Sequence, residues 1–190
     1  MTDDYLEQLL LEYRHTKDKL LMNEVDPFRF TGKTVAKIIE KRIADEKEVL
    51  EIPWAPVSKK ISSSKVALLT TAGISMKNDE PFDMETERIK GNWGDPTWRL
   101  IDSEATSNDI NVNHLHIDTS YIQKDINVAL PTEVLKTLAS DKVIGSIAKN
   151  HYSIMGFQGE DSSHLANVSG PEIANHMKQD KVDLAILAPV

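Results

Sequence analysis

His114, His116 and Asp118 alternate along the stretch Asn113–Asp118, NHLHID. If that stretch is extended, alternate side chains share one face about 7 Å apart. Two imidazoles and a carboxylate on one face suit acid/base and orienting work beside a nucleophile. The same spacing is compatible with a 2-His-1-carboxylate metal site, or with an ordinary polar strand face. A bare HxHxD pattern does not decide between them.

A second group lies where a short apolar run ends. Val66–Thr71, VALLTT, is rich in strand formers and stops at Ala72-Gly73. Thr70, Thr71 and Gly73 therefore fall at the carboxyl end of a buried strand. A glycine turn there exposes backbone N–H groups able to hold a carboxylate, the other reading being a plain strand-to-loop turn. His151 and Tyr152 open HYSIMGF and are candidates for the same crevice, with His151 as an acid/base group or, on the other reading, a structural histidine. Asp79, Glu80, Pro81 and Asp83 occupy a long polar loop, a kind of segment that often borders sites.

Other motifs lead nowhere. Gly32, Lys33 and Thr34 lack both the upstream glycine, replaced by Pro27, and the preceding strand of a phosphate loop. The sequon Asn167-Val168-Ser169 matters only in a secreted protein.

These residues need a scaffold, and the patterning supplies one. Residues 1–50 read as a helical extension. Leu6, Leu9, Leu10 and Tyr13 recur at helical spacing, as do Val35, Ile38, Ile39 and Ile43 after the break at Pro27. Residues 51–64, with two prolines and a serine run, read as a linker or strap. From residue 65 to 190, strand candidates alternate with helix candidates. The strands are 66–71, 98–101, 112–117, 151–157 and 182–190. The helices start near Pro131 and Gly170-Pro171. This predicts an α/β, Rossmann-like domain with a mostly parallel sheet covered on both faces. Ligands of such sheets bind at the carboxyl ends of the strands. The run VDLAILAPV is expected to be a central strand leading to that rim.

The 190 residues carry a net charge of −8, which disfavours nucleic acid and anionic membrane surfaces. No apolar run approaches the roughly 20 residues of a membrane span, and no signal-like segment follows Met1, so a cytoplasmic location is expected. Cysteine is absent. The sequence as read thus holds no disulfide, thiolate metal site or cysteine nucleophile.

Several segments together resemble the selenoprotein B family of the glycine/sarcosine/betaine and D-proline reductases. They are IPWAPVSKKISSSKVALLTTAG, DEPFD, GDPTWRLI, NHLHID, DINVALPTEVLKTLA, IGSIAKNHYSIMGF and VDLAILAPV, in order across residues 52–190. The resemblance implies a subunit of a selenol- or thiol-dependent reductase that cleaves a C–N bond of a small amine or amino acid. It implies a selenocysteine or cysteine immediately after Val190, and a selenocysteine codon is ordinarily read as a stop. It further implies a partner subunit carrying a pyruvoyl group and a thiol or selenol redox partner. His114, His116, Asp118 and His151 are then the expected catalytic residues, with Thr70, Thr71, Gly73 and Tyr152 on the substrate. Two other readings stand beside it: a non-catalytic relative that binds a small carboxylate or a partner subunit, and a metal-dependent hydrolase built on His114, His116 and Asp118.

Overall fold

Strand β1 (Lys65–Thr70), KVALLT, is aliphatic from Val66 to Leu69 and is buried on both faces. Such a strand belongs at the centre of a parallel sheet. A computed structural model, which describes residues 32–45, 55–159 and 161–190, places it there. On one side β1 pairs in parallel with β7 (Leu184–Ala188), from Val66 opposite Leu184 to Thr70 opposite Ala188. On the other side it pairs in parallel with β5 (Ser146–Ile147) and then with β6 (Asn150–Ile154). Strand β3 (Trp98–Asp102) closes that side, antiparallel to β6. A separate antiparallel pair joins β2 (Ile74–Met76) to β4 (Ile110–Val112).

Alternation along β1 sets the two layers of core, because successive side chains point to opposite faces. Val66 and Leu68 pack with Ile101, Ile122, Leu130 and Leu135. Ala67 and Leu69 pack with Tyr152 and Ile173 on the other face. The first layer is roofed by helices α3 (Ser120–Lys124) and α4 (Thr132–Ser140), the second by α5 (Gly170–Gln179). Each large aliphatic side chain so buried contributes roughly 1.5–3 kcal/mol. The mixed α/β class with a mostly parallel, two-sided sheet is thus the one expected from the pattern.

The unit that ends at Trp54 is described only at its helix α1 (Lys33–Asp45), where the second helix of the extension is expected. The expected first helix and residues 51–54 of the expected strap lie outside the described residues. Among the described residues, no helix is long and apolar enough to cross a membrane.

Three expectations are corrected. The strand expected over 112–117 is instead Ile110–Val112, and the chain leaves it at Asn113. The Asn113 side-chain amide donates to Gly73 O at 3.2 Å and to Ser75 Oγ at 3.1 Å, bonds that compete with a sheet ladder. Residues 113–118 are therefore loop. The long polar loop expected around residues 79–83 gives way at once to a helix, α2 (Met84–Lys90), which Asp83 caps by accepting from Thr86 N at 2.9 Å. Finally, β7 is an edge of the described sheet, with Leu187 67% exposed.

Candidate active site at the carboxyl rim of the sheet

The rim is built at the end of β1. The Thr71 N–H donates to Ala188 O at 3.3 Å, and Thr71 Oγ1 accepts from Val190 N at 2.9 Å. These bonds tie the carboxyl end of β7 to that of β1. Gly156, just past β6, lies so close that a Cβ on it would sit 3.2 Å from Thr71 O. Three parallel strand ends therefore meet at Thr71.

Gly73 turns the chain with φ +61°, and a Cβ there would meet Met155 Sδ at 2.4 Å and Asn113 O at 2.6 Å. Only glycine fits both the conformation and the space. The turn does not offer free donors to a substrate carboxylate, however. The N–H of Ala72 goes to Thr70 Oγ1, that of Gly73 to Ile154 O and that of Ile74 to Ser153 Oγ. Thr70, Thr71 and Gly73 shape the rim, and their backbone amides are already spent.

Asn113 N donates to Gly73 O at 2.8 Å, which brings the following histidines to this rim. His114 is buried, and its Nδ1 accepts from His116 N at 3.1 Å. The two rings meet edge to face with centroids 5.9 Å apart. Burial holds the His114 pKa below its ordinary value, the neighbouring His116 adds to this, and Glu87 opposes it. His116 presents an exposed ring whose Nε2 lies 2.8 Å from Oε1 of Glu87. Its face is edged by Phe157 at 5.5 Å, the residue after Gly156. A continuous set of contacts thus runs from Val190 through Thr71, Gly156 and Phe157 to His116 and Glu87.

Asp118 does not join this set. It is exposed, and its Oδ1 accepts from Ser120 N at 3.0 Å at the start of α3. The Ser120 hydroxyl and N–H hold its carboxyl below the usual range. The shared face expected of residues 114, 116 and 118 fails because the segment is bent rather than extended. The carboxylate beside the histidines is Glu87. Among the described residues, no cluster of three His, Asp or Glu side chains is arranged to hold a metal ion, so the hydrolase reading loses its ligand set.

Nor do His151 and Tyr152 reach the crevice. Both are wholly buried in β6. Between Val66–Ile147 and Leu69–Tyr152 the register slips: three steps on β1, 66 to 69, face five on the partner side, 147 to 152. Leu68 N falls in this bulge and donates to His151 Nδ1 at 3.2 Å. Burial lowers the His151 pKa to about 4, with Asp102 opposing. His151 is therefore neutral and repairs a gap in the ladder. Burial likewise pushes the Tyr152 hydroxyl up to about 12.

The loop 79–83 also has a scaffold role. Arg99 Nε donates to Glu80 O at 2.6 Å and its Nη2 to Pro81 O at 3.0 Å, with the guanidinium 4.4 Å over Phe82. Asp95 Oδ2 accepts from Asp83 N at 2.9 Å. The segments DEPFD and GDPTWRLI thus lock together and seat α2, and with it Glu87. Sequence reasoning missed Glu87, Phe157 and Asn113. Phe157 closes a recognised strand candidate, but Glu87 is one acid among several, and nothing local marks it as buried.

The family model for glycine/sarcosine/betaine reductase selenoprotein B matches residues 33–190. The chain belongs to that family. It is 35% identical over 134 residues to the D-proline reductase subunit gamma of Acetoanaerobium sticklandii, covering 70% of this chain and 52% of that one. It is 28% identical over 141 residues to the glycine reductase complex component B subunit gamma of Symbiobacterium thermophilum, covering 72% and 30%. The corresponding subunit of Carboxydothermus hydrogenoformans is 26% identical over 139 residues, with the same coverage. The chain thus spans about half or less of the length of these curated relatives. No solved structure matches it.

Proposed function

We propose that this chain forms part of the selenol- or thiol-bearing subunit of a cytoplasmic reductase that cleaves a C–N bond of a small amine or amino acid, of glycine, sarcosine, betaine or D-proline type. Family membership supports the class, and the relatives' names point to reductase complexes. The observation that carries the reading is the joining of Val190, through Thr71 and Gly156–Phe157, to the histidine loop.

In this reading a selenocysteine or cysteine follows Val190, and a pyruvoyl-bearing partner subunit presents the amine. A thiol or selenol partner renews the reduced state. When present, the ionised chalcogen supplies the nucleophile for the substrate carbon, and a selenol ionises more readily than a thiol. The residues on the rim fit such a group. Thr71 fixes the strand end that would carry it, and the exposed ring of His116 stands on the same rim as a donor and acceptor of protons.

The test is substrate-dependent oxidation of a dithiol by the full-length protein assembled with its partner subunits. Turnover of one of the four amines supports the reading. A fully assembled complex that is inactive on all four contradicts it.

A further inference from the structure

We propose that Glu87 is the positioning residue of a Glu87–His116 dyad, and that His116 is the catalytic residue delivering a proton to the nitrogen of the breaking C–N bond. This rests on the reductase reading above.

The two histidines are not equivalent. His114 is buried, its Nδ1 is occupied by His116 N, and its environment disfavours the charged form. His116 is held at its backbone by His114, by T-shaped contact with the Phe157 ring and at Nε2 by Glu87, yet its ring stays open to the rim. Among the described residues, Nδ1 has no partner.

Glu87 is the second observation. Its side chain is 2% exposed, Oε1 meets His116, and Oε2 has no hydrogen-bond partner among the described residues. Burying a carboxyl with one bare oxygen is costly. The fold does not need it there: α2 is already capped by Asp83 and its entry is seated by Arg99 and Asp95. An apolar residue on that buried face would serve packing better. A buried carboxylate aimed at one imidazole nitrogen does what the acid of a triad does, fixing the ring and its tautomer so that the other nitrogen works.

The chalcogenolate of the proposed function supplies the pair for the new bond to carbon as the C–N bond breaks. The electron pair of the breaking bond goes to nitrogen, and the His116 imidazolium gives that nitrogen its Nδ1 proton. The ring is left neutral with Nε2–H on Glu87, and water recharges it through its exposed edge.

The test uses the full-length protein in its assembled complex. Imidazole ¹⁵N spectra followed through a pH titration should show that His116, once neutral, is the Nε2–H tautomer, with a mixed population in Glu87→Gln. Turnover of Glu87→Gln should fall on the order of 10²-fold in kcat with KM little changed, and Glu87→Asp should recover part of it. His116→Ala should lose activity and regain it with added imidazole, a readout that a merely structural tether would not give. An unchanged tautomer, or Glu87→Gln turnover within about twofold of wild type, overturns the dyad. Wild-type inactivity on every amine would sink the reductase reading instead, and the tautomer spectra would still decide for or against the dyad. If Glu87→Gln does not fold, the imidazole rescue of His116→Ala decides: no rescue overturns the catalytic role.

Discussion

The hydroxyl oxygen of Thr71 accepts a hydrogen bond from Val190 N at 2.9 Å, so the carboxyl end of β7 is fastened beside that of β1. The hydroxyl also lies 3.4 Å from Val190 O, within donating range. One side chain therefore sets where anything carried at the end of β7 meets the histidine loop.

Thr71→Val keeps the shape and removes both bonds. The expected loss of stability is modest, about 0.5–1.5 kcal/mol by urea unfolding, because both bonds are exposed and the 3.4 Å one is long. Turnover in the assembled complex should fall by more than that figure converts to, because a small displacement of a reacting group is expensive.

Gly73→Ala tests the turn that delivers the histidines. The φ of +61° and the approach of Asn113 O leave no room for a methyl group. A loss of at least about 1–3 kcal/mol is expected in thermal or urea unfolding.

His151 gives the fold a defined acid sensitivity. Its pKa falls from 6.5 to about 4 on folding, so the unfolded chain binds a proton that the folded chain refuses. Stability from this group is complete above about pH 6.5 and is lost as pH falls toward 4, by roughly 2–3 kcal/mol. His151→Asn, which can still accept from Leu68 N, should flatten that part of the stability–pH curve. The curve is read from urea midpoints between pH 4 and 7.

Asp118→Asn separates the sequence pattern from the structure. Asp118 serves Ser120 N and does not touch the histidines. Turnover should stay at the wild-type level, whereas His116→Gln should abolish most of it. A comparable loss in both variants would restore the alternating pattern as the functional unit.

What the sequence reveals divides by range. Buried β1 is legible because its run Val66–Leu69 is wholly apolar, and α5 because Pro171 starts it and Ile173 marks its inner face. The rim at Thr71 and Gly73 is legible for the same local reason. The alternation of His114, His116 and Asp118 is real in the sequence, but it carries meaning only on a strand, and Asn113 ends the strand first. His151 resembles a surface proton donor until β5 and β6 are seen to pair on one side of β1, where the slip in register needs a side-chain acceptor. Glu87 is the clearest miss. Its burial depends on Arg99 and Asp95 seating a helix from a distant segment, and no local spacing encodes that.

The most direct measurement is peptide mass spectrometry of the native protein after reduction and carboxymethylation. The expected result is a peptide reading through Pro189-Val190 into an alkylated selenocysteine or cysteine. A native peptide in which Val190 is followed by any other residue, or by nothing, would contradict a reactive chalcogen at this rim.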